Sequence, residues 1–292
     1  MNERFDLFFI LFYTGIPFLV IGLIGNVLVL RIIHKREDMK TPTNFLLMSV
    51  AFSDVITILL WPLYFFEFAK FVCKLVVLIE ISIMVSSITL TLLAVERYHA
   101  VLKPFHTGLR LSNDNIKHAV ASIWIASVII CSPEFFLKEW SETYSQCTGP
   151  WSLHMNQASK IYVFINLTIF CIQTVIMLYC YGCVIKGLYF TNIVYPETVR
   201  HTVSEKQKVV ITLILATAGF LAGYTPTVIV FLLKASGNNK HIDFQSVSDL
   251  LLVCSLSFNP IIYGFRGAKF QEYFKRMLWC RKPISQREIN FE

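Results

Sequence analysis

Seven apolar runs, each long enough to cross a bilayer, dominate the chain and leave it little choice of fold. They lie at about Leu7 to Ile33, Phe45 to Phe66, Cys73 to Val95, Ala119 to Phe136, Ile161 to Tyr189, Val209 to Leu233 and Phe244 to Phe265. Hydrocarbon offers no partner to a free backbone N–H or C=O, so each run must be a helix that satisfies its own backbone. Composition agrees: 55% hydrophobic residues, 15% charged residues and a mean hydropathy of +0.59 lie outside the range of an ordinary soluble domain. The expected fold is an all-α membrane protein built as a seven-transmembrane helix bundle. Its odd number of spans puts the termini on opposite sides.

Orientation follows from Lys and Arg, which favour the cytoplasmic side in short loops. With the N-terminus extracellular, the cytoplasmic segments hold 19 of the 26 basic residues, among them Arg31, Lys35, Arg36, Lys40, Lys103 and seven from Arg266 onward. The net charge of +7 then reads as topology and as attraction to anionic membrane lipids, not as a nucleic-acid site. The first run lacks a cleavage pattern and is expected to act as its own insertion signal. With about six residues ahead of it, no outer ligand-binding domain is expected. Asn166-Leu167-Thr168 fits a glycosylation pattern but lies inside the fifth run. The expected location is the plasma membrane, as a multi-pass protein.

The third run ends abruptly at Glu96-Arg97-Tyr98. Charges there sit where hydrocarbon gives way to headgroups, and they are rare enough to imply a role beyond a stop signal. The stretch ERYHAVLKPF closely resembles the E/DRY motif and second intracellular loop of rhodopsin-like, class A G-protein-coupled receptors. Gly25-Asn26, Asp54, Trp124, Pro226 and Asn259-Pro260-Ile261-Ile262-Tyr263 follow in the family's order.

The resemblance implies a receptor in which an extracellular ligand shifts a two-state bundle and a heterotrimeric G protein engages beside Arg97. Glu96, Arg97, Tyr98, Pro104, Phe105, Tyr181, Phe220, Tyr224, Pro226, Asn259, Pro260 and Tyr263 match its coupling and switch positions. Arrestin is a further expected partner. Asp54, Ser86, Ser255 and Asn259 match the family's internal sodium site, and all carry the oxygen ligands a hard cation needs; the alternative is a protonated Asp54 in a polar network. No other cofactor is expected. Asn26 is expected to pair with Asp54. Phe270 follows NPIIY in an amphipathic segment, Lys269 to Trp279, which resembles the short amphipathic eighth helix. Residues 1–265 are thus the receptor domain, and 266–292 the eighth helix and cytoplasmic tail. Cys280 is a candidate for palmitoylation.

Of eight cysteines, only Cys73 and Cys147 fall in segments expected outside, so these two are expected to pair. Trp61-Pro62 should bend the second helix and open the bundle, directing Tyr64 and Glu67 toward its mouth. Glu80 lies 17 residues before Arg97, a rise of about 25 Å, and Asp249 ten residues before Asn259. Tyr64, Glu67, Glu80, Tyr224 and Asp249 are the candidate ligand residues, and their acids favour a cationic ligand. The alternative is that Glu80 and Asp249 pair with Lys70, Lys74 or another nearby cation. The fourth helix is expected to close near Pro133, leaving Glu134, Glu139 and Glu142 in an acidic loop.

The chain also departs from the family. Cys73 to Arg97 is 24 residues, one fewer than usual, which leaves the facing of Glu80 open. Gln173 stands where most relatives have proline, and Ser87 where an apolar residue is usual. A Gln173 to Ser87 hydrogen bond is the expected substitute. Tyr224 replaces the tryptophan toggle, and its hydroxyl is expected to seek a partner near the sodium site. Lys206 occupies the place of an acid that pairs with the motif arginine, so Arg97 should be held mainly by Glu96 and basal activity raised. The third intracellular loop, about Tyr189 to Glu205, is expected to be short.

Other functions fit less well. A photoreceptor needs a Schiff-base lysine in the seventh helix, where Val253 stands and no Lys occurs between His241 and Gly264. No Gly-x-Gly-Asp or zinc-binding His pair suggests an enzyme, and no inverted repeat suggests a transporter. A ligand-binding decoy that does not signal stays open, as do amine and lipid ligands. The fifth helix offers only Asn166 and Thr168 across Ile165 to Ile169, so a short peptide is favoured over an amine.

Overall fold

The computed structural model describes residues 2–65, 70–102, 111–142, 146–148, 157–189, 197–235, 242–266 and 270–274. The helices are α1 (Asn2–Lys35), α2 (Pro42–Leu60), α3 (Lys70–Leu75), α4 (Val77–Leu102), α5 (Ile116–Leu137), α6 (Gln157–Tyr189), α7 (Glu197–Ala235) and α8 (Ile242–Arg266), with a helical turn, α9, at 270–274. Seven segments are long and apolar enough to cross a membrane, in the order expected. Large apolar side chains such as Ile125, Ile129 and Phe164 face outward, as a bilayer-facing surface requires.

The core centres on α4, which packs against α2, α5, α6 and α7. Val85, Leu90, Leu93 and Ala94 of α4 are fully buried with Leu46 and Val50 of α2 and Leu213 and Phe220 of α7. Trp124 of α5 closes one side by donating its indole N–H to Ser49 Oγ, 3.1 Å away. The start of α2 is built locally. Thr41 caps it, its hydroxyl accepting from the Asn44 N–H at 3.3 Å, and Pro42 occupies the first turn, where no N–H is needed.

Proline positions explain three features that the sequence left ambiguous. Pro133 does not end α5, which continues to Leu137. The carbonyl it frees, Ile129 O, accepts from Ser132 Oγ at 2.9 Å, so the helix loses no bond. Glu134 is therefore a buried helical residue and not part of an acidic loop. Pro260 of α8 likewise frees the Leu256 carbonyl, and Asn26 Nδ2 donates to it at 3.3 Å. Asn26 thus binds α8 and its own Gly22 carbonyl, not Asp54. Gly25 permits this approach, since a Cβ there would lie 2.6 Å from Pro260 Cγ. At Trp61-Pro62 the bend is a change of winding: α2 stops at Leu60 and Trp61–Phe65 continue as a 3-10 helix.

The helix carrying Glu80 is interrupted at Val76. The Ile79 N–H bonds back only three residues, to Val76 O at 2.9 Å, so the chain tightens between Cys73 and Glu80. This absorbs the short interval. Glu80 shares one unbroken helix with Arg97, and its facing is set from Arg97. Beyond α5, β1 (Glu139–Ser141) pairs antiparallel with β2 (Gln146–Thr148), and Cys147 of β2 is disulfide-bonded to Cys73 with Cα atoms 5.6 Å apart. The helix α7 begins at Glu197, well before its apolar run, so the segment joining it to α6 is shorter than the expected loop.

Candidate functional site

Three groups of polar side chains are buried along the bundle, at the disulfide end, the middle and the Arg97 end. At the disulfide end, α4, α5 and α8 bring Glu134, Asp249 and Lys138 within electrostatic reach of Glu80. Lys138 Nζ is 3.4 Å from Glu134 Oε1, and the two side chains are 8% and 0% exposed. Glu80 and Glu134 thus meet Lys138, whereas Lys74 donates to the Phe135 and Lys138 carbonyls and lies over the Phe135 ring. Tyr162, Cys131 and Tyr224 border the same group. Tyr224 thus lies within electrostatic reach of Glu80 and Glu134. Its ring meets Phe170 edge-on at 5.0 Å and stacks on Phe220 at 5.7 Å. Those contacts form an aromatic floor beneath the charges.

About two turns along α4 from Glu80, Ser87 donates to Gln173 Oε1 of α6 at 2.5 Å, with both side chains buried. This is the bond expected in place of the missing proline. In the middle of the bundle, Asp54 accepts from Asn259 Nδ2 at 2.8 Å and from Ser86 Oγ at 3.3 Å, while Ser53 and Ser86 hydroxyls lie 2.6 Å apart. Ser255 turns aside. It donates to the Leu252 carbonyl and lies against Gly223 of α7, where a Cβ would collide with it. Asp54, Ser53 and Ser86 still form an oxygen-rich group of the kind that suits a hard cation, with Asn259 beside it.

At the far end, Arg97 binds Glu96 Oε2 through Nε and Nη2, and donates from Nη2 to the Thr43 hydroxyl of α2. Glu96 is buried, as a paired carboxylate at a helix interface must be. Tyr181 shares a 3.3 Å contact between hydroxyls with Thr217 of α7. The Tyr263 hydroxyl is buried without a hydrogen-bond partner among the described residues, while its ring rests 6.0 Å from Phe270 of α9. Tyr273 of α9 donates to Asp38 at 3.0 Å with the Arg36 guanidinium 4.6 Å over its ring, fixing this turn to the α1–α2 connection. Burial, and then the bond to Asp38, raise the Tyr273 hydroxyl above the ordinary tyrosine range.

Sequence reasoning missed Thr43, Lys138, Tyr162, Phe170 and Tyr273. None lies in a motif, and each is defined by a partner on another helix or turn. Of the expected residues, Glu67, Pro104, Phe105 and Cys280 and the side chains of Tyr64 and Lys206 lie outside the described ones.

Residues 25–263 match the family described as "7 transmembrane receptor (rhodopsin family)". The chain belongs to that family. Among curated relatives, the receptor is 28% identical over 286 residues to the QRFP-like peptide receptor of Branchiostoma floridae, covering 89% of this chain and 75% of that one. It is 26% identical over 305 residues to bombesin receptor subtype-3 of Ovis aries, covering 93% and 75%. Squid rhodopsin shares the fold, with a TM-score of 0.80 at 18% identity over 100% of this chain and 92% of that one. The protein is thus a multi-pass membrane receptor, not an enzyme.

Proposed function

We propose that this receptor sits in the plasma membrane with its N-terminus outside, binds a peptide carrying a basic group at the disulfide end, and activates a heterotrimeric G protein at the Arg97 end. The observation that carries the ligand reading is a cluster of acids at the disulfide end: Glu80 is buried within electrostatic reach of Glu134 and Asp249, with Lys138 beside Glu134. Charge held away from water needs a counter-charge, and a basic side chain would supply it. The floor of Phe170 and Tyr224 suits an adjacent aromatic residue. Relatives named as peptide receptors make peptides the first class to test.

The signal would pass inward through the aromatic floor and the Ser87–Gln173 bond to α7. A ligand shifts the balance only by what it adds to one state over the other. Outward movement of α7 would then open the Arg97 end to the G protein, with Tyr181 and Tyr263 turning toward Arg97. Pro104 and Phe105 would dock the same partner, and arrestin would share that face. Asp54, Ser86 and Asn259, with Ser53, would hold a sodium ion whose charge favours the closed bundle. Residues 266–292 would lie along the inner leaflet, with Cys280 lipidated.

A panel of short amidated peptides, each with Arg or neutral citrulline beside Phe, tests this through G-protein activation in cells. The Arg members should activate, and Glu80→Gln or Asp249→Asn should weaken them by about 30-fold or more, as expected for loss of one partner of a buried charge pair. Equal responses to the citrulline members would overturn the basic-ligand reading.

A further inference from the structure

Among the described residues Arg97 has two side-chain partners, and they differ in kind. Glu96 is its neighbour on α4 and moves with it; Thr43 stands on α2 and does not. The Thr43 hydroxyl is thus the tie that anchors this guanidinium to another helix. Its setting is rigid. Thr41 caps the turn, Pro42 fixes the backbone before it, and Asn44 donates from Nδ2 to the Met39 carbonyl at 2.8 Å. Met39 itself is buried in the core. The turn therefore presents the hydroxyl from a fixed point.

We infer that Thr43 is a positioning residue for signalling: it holds Arg97 against α2 in the ligand-free receptor and withholds the guanidinium from the G protein. The inference rests on the proposed role of Arg97 in coupling. A hydroxyl suits this task, because it accepts from a charged donor firmly enough to bias the resting balance yet carries no charge that would lock it. Since the tie runs to α2, α7 can swing outward without breaking an ion pair to Arg97. Among the described residues, the restraint on Arg97 from another helix is then one neutral-to-charged hydrogen bond. Removing it should shift the resting balance on the order of 10-fold.

The test compares the intact receptor with Thr43→Val, which keeps the shape and loses the hydroxyl, Thr43→Ser, which keeps the hydroxyl, Arg97→Ala, and the double variant Thr43→Val/Arg97→Ala. Ligand-free G-protein activation is read in cells at matched surface expression. Thr43→Val should raise the signal several-fold, Thr43→Ser should match the intact receptor, and the double variant should lose the rise. If Thr43→Val does not reach the surface, Thr43→Ala provides the same comparison. A Thr43→Val signal at the intact level, or an equal rise in Thr43→Ser, would overturn the role of the hydroxyl while leaving Arg97 as the coupling residue. A rise that survives in the double variant would show that Arg97 is not the group being held, and would overturn both.

Discussion

The disulfide end and the Arg97 end both bury charge, but they settle it differently. At the disulfide end, Glu80 gathers with Glu134 and Asp249, and Lys138 pairs with Glu134. At the other end, among the described residues, one guanidinium meets one carboxylate and one hydroxyl. A cluster of acids is suited to receiving a basic partner from outside. A set of mutually bonded groups is suited to being opened, because its groups are held by each other until something displaces them. The hydrogen-bonded centre between them, Asp54 with Asn259 and Ser86, links α2, α4 and α8.

The largest expected effect falls on the disulfide end. Cys73→Ser should destabilise the receptor by about 4 kcal/mol by chain-entropy arithmetic and abolish peptide responses, with surface expression and thermal stability as the measurements. The same change should leave the Arg97 contacts intact, so any receptor that still reaches the surface should keep its ligand-free signal. Next comes the ion pair. Lys138→Met leaves Glu134 buried without its cation and should cost about 3 kcal/mol, whereas Lys138→Met with Glu134→Gln should recover most of the loss in a thermal-shift assay. Failure of the double variant to recover would mean that the pair matters for its shape and not for its charge.

Neither Glu134 nor Lys138 was legible as a buried pair. Pro133 reads as a helix end, and only the compensating hydroxyl of Ser132 lets α5 continue past it. The seven spans were legible because lipid leaves a chain no other option. The start of α7 was not, since hydropathy marks where the membrane ends and not where the helix does. The partner of Asn26 was misread for a related reason: its acceptor exists because Pro260, far along the chain, lacks an N–H. Motifs marked Asp54, Arg97 and Tyr263 as positions of interest, and Asp54 and Tyr263 are buried. They could not mark Thr43, because its hydroxyl matters only once α2 is packed against α4.

Smaller effects sharpen the link between the two ends. Asn26→Leu should orphan the Leu256 carbonyl and cost about 1–3 kcal/mol, measurable as a lowered melting temperature with little change in peptide preference. Ser87→Ala should remove about 1 kcal/mol of α4–α6 attachment and alter the ligand-free signal at equal surface expression. No change in signalling would mean that the Ser87–Gln173 bond is structural only.

The most direct measurement is activation of each class of heterotrimeric G protein, with and without the basic peptide panel, by the intact receptor and by Arg97→Ala at matched surface expression. A signal from the intact receptor that disappears in Arg97→Ala, while peptide binding at the disulfide end persists, is the result expected here. An unchanged signal in Arg97→Ala would contradict the division of labour between the two ends.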